Sequence, residues 1–542
     1  MTDSTSRRMT LAGTVAIMLL LMLRVPSLAE PMAADQGLYS YVGTRVLAGD
    51  VPYRDAWDQK PPGIHAAYAV MWRVWPHESV VALADLVAAG LVAWLLVILG
   101  RRTFGSATGY GAACLFLLFG NPAFQRLGGV YVRSQCETFI ALAVTAALVL
   151  LAAPRRTRRH LISAGLCLGA AFWLKYNAVV YILPMLLLAG MGDDERMRRP
   201  RALVSDLIWI AGGFIVVAAL VLGWFAAHGA LLDLKIATID YNVRYARETY
   251  QGATSTLIYP FTMVAKRVHV DALWFLGGLG AVLLSLRLRA RVVLMTLAWL
   301  AAAILCNVAN GARGLPQYFV QANPALALAG AAGIASLAGR KRLLQAAALV
   351  VIAAGLVWKV GSERGPLRLS GLPEVIDNTW FDFTYLRGRM DRATYLERFG
   401  GQRAQDKFAA LAVEQLAWHV AAVTEPHETI YVFGYAPGVY VKSGRVSASR
   451  FLWSRPVIME FGREHEGYGS DGLLRDLERR APALVALQRQ DWGPVALIDP
   501  GRHGEPNSID FFHGTPPLEA WLRAHYTREA DAPNFELWRR SR

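Results

Sequence analysis

For about two thirds of its length the chain alternates between apolar runs and short charged breaks, and near residue 361 it changes character. A membrane-spanning helix needs about 20 mostly apolar residues. Runs that approach this length lie at 9–28, 80–99, 104–119, 135–153, 204–227, 272–286, 292–308, 321–337 and 343–360. Two shorter runs between 161 and 191 break at Lys175-Tyr176-Asn177, which predicts a tilted or only partly crossing hairpin. The segment 64–75 is short and aromatic and carries His65 and Arg73, so it predicts a helix lying along the membrane surface.

Beyond 361 the pattern is that of a soluble domain. Strand-like runs at 429–433, 483–487 and 535–538 (the last as an edge strand) alternate with helical spacing at 405–424, 473–480 and 516–526. That alternation predicts an α/β sandwich. The expected organisation is therefore a polytopic α-helical membrane domain over 1–361, with about eleven transmembrane helices plus an interfacial helix. A soluble α/β outer domain follows over 362–542.

Charge orients this arrangement. The 542 residues are 54% hydrophobic and carry a net charge of +15. The arginines gather in short loops: 101–102, 155–159, 196–201, 287–291 and 340–342. Positive loops favour the cytoplasmic side. One assignment places all of them there together with the N-terminus, and puts 30–79, 120–134, 228–271, 309–320 and everything after 361 on the outer, periplasmic face of the inner (plasma) membrane. The first run also resembles the apolar part of a signal peptide, but a small-x-small cleavage pattern is poorly formed around Ala29. With basic charge confined to loops and no zinc-finger spacing, a nucleic-acid partner is not expected. Cys114, Cys136, Cys167 and Cys306 lie in or beside apolar runs and show neither metal-site nor disulfide spacing.

The chemistry-bearing residues fall in the expected outer loops. Asp35 follows the first run at the membrane surface, where a carboxylate could serve as general base on an acceptor hydroxyl. Lys60 precedes Pro61-Pro62, where a helix begins, and offers a compact cation for a phosphate. The same two residues also fit a helix cap and a snorkelling lysine. Glu137 begins a membrane helix; an ionisable group at that depth is costly, which points to function, although the helix dipole also favours it there. Lys175 interrupts an apolar hairpin and needs an anion or a water-filled cavity. Arg133, Arg313, Gln317 and Tyr318 add cations and polar groups near the same surface.

Taken in order, these motifs resemble those of polytopic glycosyltransferases that use a polyprenyl-phosphate-linked sugar, such as protein O-mannosyltransferases and the aminoarabinose transferases of lipid A. Asp35-Gln36-Gly37-Leu38-Tyr39 looks like the family's Asp-Glu-Gly-x-Tyr. Lys60-Pro61-Pro62-Gly63 is similar to its Lys/Arg-Pro-Pro-Leu. Cys136-Glu137-Thr138-Phe139 resembles its second acidic site, and Gln317-Tyr318-Phe319 with Pro324 its His-Tyr-x…Pro element. The resemblance implies a glycosyltransferase acting on a hexosyl or pentosyl donor, with Asp35 and Glu137 as catalytic residues. Lys60, Tyr39, Arg133, Lys175, Arg313, Gln317 and Tyr318 would hold donor or acceptor, and inversion at the anomeric carbon is expected. A lipid, glycan or protein would supply the acceptor hydroxyl. No cofactor is required; Gln36 and Gln317 replace an acid and a histidine of the family, which leaves a divalent metal open. A transporter or flippase for a lipid-linked or anionic substrate is the alternative, but no internal repeat supports it.

Overall fold

The computed structural model describes residues 3–124, 126–127, 130–190, 200–247, 253–286, 290–311, 315–337, 345, 352, 372–400, 409–491 and 505–541. Helices dominate the first 336 residues: α1 (Asp3–Met22), α2 (Ala34–Leu47), α3 (Gly63–Val74), α4 (Ser79–Thr103), α5 (Ser106–Phe119), α6 (Cys136–Leu151), α7 (Arg158–Leu174), α8 (Ile182–Gly190), α9 (Pro200–Ala227), α10 (Leu231–Lys235), α11 (Tyr241–Arg247), α12 (Ala253–Val270), α13 (Ala272–Ser285), α14 (Arg291–Ala309) and α15 (Asn323–Ser336). A two-stranded ribbon, β1 (Arg126–Leu127) with β2 (Val130–Tyr131), lies before α6.

The chain is a multi-pass membrane protein. Among the described residues, four helices are long and apolar enough to cross a bilayer, at 7–29, 79–103, 201–227 and 291–309. A fifth span results if the pair 260–269 and 272–285, bent by 112°, counts as one. The other apolar helices are shorter, so length and composition alone give fewer spans than the eleven expected. Residues 343–360, expected as the last span, and the domain boundary at 361 fall almost wholly outside the described residues.

Local sequence explains the breaks. α1 stops before a 3₁₀ turn, Val25–Ala29, that contains Pro26, and proline removes a helical donor. α3 has only twelve residues, about 18 Å at 1.5 Å per residue, too short to cross a bilayer upright. At the expected interruption, Lys175 is extended (φ −155°, ψ 129°) and passes the chain from α7 through a 3₁₀ turn, Tyr176–Tyr181, into α8. Small residues let helices cross closely. A Cβ added at Gly165 of α7 would lie 2.0 Å from the Ile210 carbonyl oxygen of α9, and one at Gly213 would lie 2.1 Å from that of Ile162.

The C-terminal part forms a five-stranded mixed sheet in the order β4-β3-β5-β7-β6, from β3 (Thr429–Phe433), β4 (Val446–Ser447), β5 (Leu484–Gln488), β6 (Tyr526–Arg528) and β7 (Phe535–Arg540). β3 runs parallel to β4 and β5, and β7 runs antiparallel to β5 and β6. β3 and β5 bury nearly every side chain, as strands covered on both faces do. One expectation changes: β7 is interior rather than an edge, because Tyr526 leaves its helix and begins β6, which pairs outside it.

This sheet is seated on the helical unit. Trp57 donates its backbone N–H to the Arg450 carbonyl (2.8 Å), and Tyr41 accepts from the backbone N–H of Ser447 (2.8 Å). A Cβ at Gly37 of α2 would lie 2.8 Å from the backbone nitrogen of Gly438. Gly37 therefore lets the segment that follows β3 touch the first turn of α2 at Gly438.

Candidate active site

Asp35 lies in the first turn of α2, where the positive end of the helix dipole favours a carboxylate. It is part-buried. Tyr435, from the loop after β3, donates its hydroxyl to Asp35 Oδ1. Neighbouring Gln36 is fully buried and structural: its Oε1 accepts the Ala33 N–H (2.8 Å) and its Nε2 donates to the Arg133 carbonyl (2.9 Å). Tyr39, one turn on, is buried with its ring edge against Tyr68 (5.4 Å) and His65 (6.1 Å). Burial holds its phenol well above its ordinary pKa.

The candidate cations differ in their partners. Arg133 is buried, pairs with Glu30 (2.7 Å) and donates to the Ser27 carbonyl (2.8 Å). Lys175 donates to Glu137 Oε1; both are buried, and the pair has no net charge. Lys60 is different: among the described residues no hydrogen bond or ion pair involves its ammonium, which stands 6.0 Å from the Tyr318 ring centroid. Burial opposes its charge, yet surrounding phenols and Asp35 hold the lysine above its ordinary pKa. Arg313 lies outside the described residues.

Tyr318 links the two lysines. The Lys175 ammonium sits 4.0 Å from its ring centroid, and its hydroxyl meets that of Tyr245 at 3.2 Å. Gln317 beside it is buried, and among the described residues its Oε1 has no hydrogen-bond partner. A cavity of about 240 Å³ opens here, lined by Lys60, Lys175, Tyr176, Asn177, Asn242 and Asn310 among others. Among the described residues, no carboxylate lines it. The structure thus brings Lys60 and Lys175 to one cavity, with Glu137 behind Lys175 and the Tyr318 ring between the two ammonium groups, and sets Asp35 within electrostatic reach of Lys60, while Arg133 serves the loop packing behind α2.

Several residues at this site carry no motif by themselves. Tyr435 is 400 positions from Asp35, and nothing local marks it. Asn242 of α11 donates to the Gln59 carbonyl (2.7 Å) and steadies the turn that carries Lys60. Asp58 and His65 flank the Lys60-Pro61-Pro62 element and meet at 3.4 Å, both fully buried. Their spacing around a fixed Pro-Pro turn was the one available signal. Among the described residues, no group of three or more His, Cys, Asp or Glu side chains is gathered as a metal site would be.

Fold comparison shows what the chain resembles. The crystal structure of ArnT from Cupriavidus metallidurans bound to undecaprenyl phosphate matches with a TM-score of 0.57 at 15% identity, over 99% of this chain and 98% of that one. The apo state of the same protein gives 0.56 at 16% identity, over 97% of each chain. The apo oligosaccharyltransferase of Archaeoglobus fulgidus gives 0.52 at 13% identity, over 98% of this chain and 74% of that one. At these identities the likeness is one of fold. In sequence, residues 59–224 match the family described as dolichyl-phosphate-mannose-protein mannosyltransferase. The chain thus resembles polytopic glycosyltransferases that use polyprenyl-phosphate carriers, and the matched stretch includes Lys60, Arg133, Glu137 and Lys175 but not Asp35. No curated protein matches the sequence.

Proposed function

We propose that this chain is a membrane glycosyltransferase that moves a sugar from a polyprenyl-phosphate carrier to an acceptor hydroxyl at the outer face of the inner membrane. The observation that carries the reading is the charge balance of the cavity. Lys175 is neutralised by Glu137, so Lys60 is the cation in excess among the described lining residues. A sugar–phosphate–polyprenyl diester bears one negative charge, which one lysine can match without stranding a second buried cation.

In this reading the phosphodiester enters beside Lys60 and Tyr318. Asp35 takes the proton of the acceptor hydroxyl as its oxygen attacks the anomeric carbon. The bond from that carbon to the phosphate oxygen breaks, and the electron pair leaves with polyprenyl phosphate. Attack opposite the leaving group inverts the configuration. Lys60 stabilises the charge that develops on the departing phosphate, so a general acid is not needed. Glu137 acts through Lys175, holding that ammonium against Tyr318. The mechanism calls on no cofactor and no metal.

The test is transfer from a panel of radiolabelled undecaprenyl-phosphate sugars, neutral, acidic and amino, by purified protein supplied with an envelope extract as acceptor. Label moved to an acceptor, lost in Asp35→Asn and Lys60→Ala at equal protein level, is the expected result. Transfer that persists in both variants would overturn the assignment.

A further inference from the structure

We propose that Asp58 and His65 form a proton-sharing pair that positions Lys60 and sets the charge of the donor-phosphate pocket. The inference rests on the reading of Lys60 as the phosphate cation. Four observations carry it. Asp58 and His65 are each 1% exposed, and Asp58 Oδ2 faces His65 Nε2 at 3.4 Å. Among the described residues, Asp58 Oδ2 and both ring nitrogens of His65 make no hydrogen bond, and this approach is their nearest polar contact across the turn. The other carboxylate oxygen accepts the Gln59 N–H (2.6 Å), which folds the turn leading into Lys60. His65 lies on α3 just past Pro61-Pro62, so the pair clasps the turn from both ends.

Buried polar groups left this bare are costly. A proton resolves the problem: one proton on the pair makes it neutral overall. Burial pushes Asp58 up to about 7 and holds His65 down at about 3, so the neutral form is acid plus neutral imidazole. When that proton leaves, a carboxylate charge appears behind Lys60. It then competes with any bound phosphate for the same ammonium. Anion binding and protonation of Asp58 therefore favour each other, and by linkage affinity is highest below about 7 and falls above it.

Other groups face the pair. Asp35 and Tyr39 come from α2, Tyr53 from the 48–62 loop, Cys136 from the start of α6, and Tyr435 from the loop after β3. The Tyr39, Tyr53 and Tyr435 phenols are held well above their ordinary pKa by burial and stay neutral between pH 6 and 8.5. Asp35 and Cys136 are common to wild type and Asp58 variants, so their contributions cancel in the comparison.

The experiment measures binding of an undecaprenyl methyl phosphodiester, whose single charge does not titrate in this range, to the purified full chain at pH 6 and pH 8.5. Wild type is expected to lose about tenfold in affinity over that interval, the size of a one-unit coupling. Asp58→Asn should show a flat profile, with affinity near the low-pH value of wild type. A flat wild-type profile, or the same slope in Asp58→Asn, overturns the inference. If the variant does not accumulate, a flat wild-type profile still overturns the inference. Failure of the underlying reading looks different: the probe then fails to bind, or binds Lys60→Ala as tightly as wild type.

Discussion

The hydroxyl of Tyr435 donates to the carboxylate of Asp35 across 400 residues of sequence. The contact joins the loop after β3 to the first turn of α2, and it is made possible by Gly37 against Gly438. The loop is itself pinned, because the Tyr435 backbone N–H donates to Gln488 Oε1 (2.6 Å) and the Tyr435 ring packs 5.7 Å from Trp453. The C-terminal sheet therefore contributes a polar group to the candidate base, beyond covering it.

If Asp35 is the base, Asp35→Asn should lower transfer by about 100-fold or more, the usual scale of general-base removal. Tyr435→Phe removes only one hydrogen bond to a charged acceptor, worth about 1.5–3 kcal/mol. Its transfer rate should fall by about 10- to 100-fold, with little change in donor KM. Steady-state kinetics on the best donor of the panel checks both. Equal rates in Tyr435→Phe and wild type would remove Tyr435 from the reaction.

Lys60→Ala should raise donor KM by about 10- to 100-fold, because a charge-assisted contact to phosphate is lost. Lys60→Arg should recover part of this, since the charge returns but the compact ammonium does not. Donor titrations of the three proteins give the answer. A Lys60→Ala enzyme with unchanged donor KM would place the phosphate elsewhere.

Much of this site could be read from sequence because its motifs are local. Asp35, Lys60, Glu137 and Lys175 each interrupt or border an apolar run, and a charge in that position has few cheap explanations. The partners could not be read. Arg133 is a weaker candidate than Lys60 from sequence, and its partner Glu30, over 100 residues away at 2.7 Å, has no local signal. Lys175 and Glu137 are 38 residues apart, and helix packing brings them together. The strands β3 and β5 were visible as short apolar runs, whereas β7 was misplaced to an edge because β6 is only three residues long and follows a helix directly. Number of spans was the weakest reading: several apolar helices here fall short of a full bilayer length.

Glu137 and Lys175 make a separate prediction. Glu137→Ala leaves a buried ammonium without its partner, which costs about 3–5 kcal/mol. The variant should melt markedly lower and yield less protein. Combining it with Lys175→Met removes the stranded charge, and thermal stability and probe binding should return to within a few-fold of wild type. Recovery of melting temperature without recovery of phosphodiester binding would show that Lys175 contacts the donor directly.

Metal removal is the next test. A metal-dependent site needs several hard or imidazole ligands together, while Gln36 is spent on capping α2 and Gln317 offers an amide. Transfer should be unchanged after dialysis against EDTA and should not rise when Mg²⁺ or Mn²⁺ is returned. Loss on chelation with metal-specific rescue would bring a cation into the mechanism.

The seating of the sheet on α2 can be tested at its two glycines, which are not equivalent. A Cβ at Gly37 meets backbone, the Gly438 nitrogen at 2.8 Å and its Cα at 2.9 Å, whereas a Cβ at Gly438 meets only the Val413 side chain, at 3.3 Å. Backbone cannot yield as a side-chain methyl can, and overpacking of this kind costs about 1–3 kcal/mol. Gly37→Ala should therefore push α2 off the loop after β3, lower the melting temperature and reduce transfer by breaking the contact between Asp35 and Tyr435. Gly438→Ala should be close to wild type in both respects. Phosphodiester binding should persist in each, because Lys60 and its turn lie outside this crossing. If Gly37→Ala lowered stability but left the transfer rate intact, the Tyr435 hydroxyl would not be acting through Asp35.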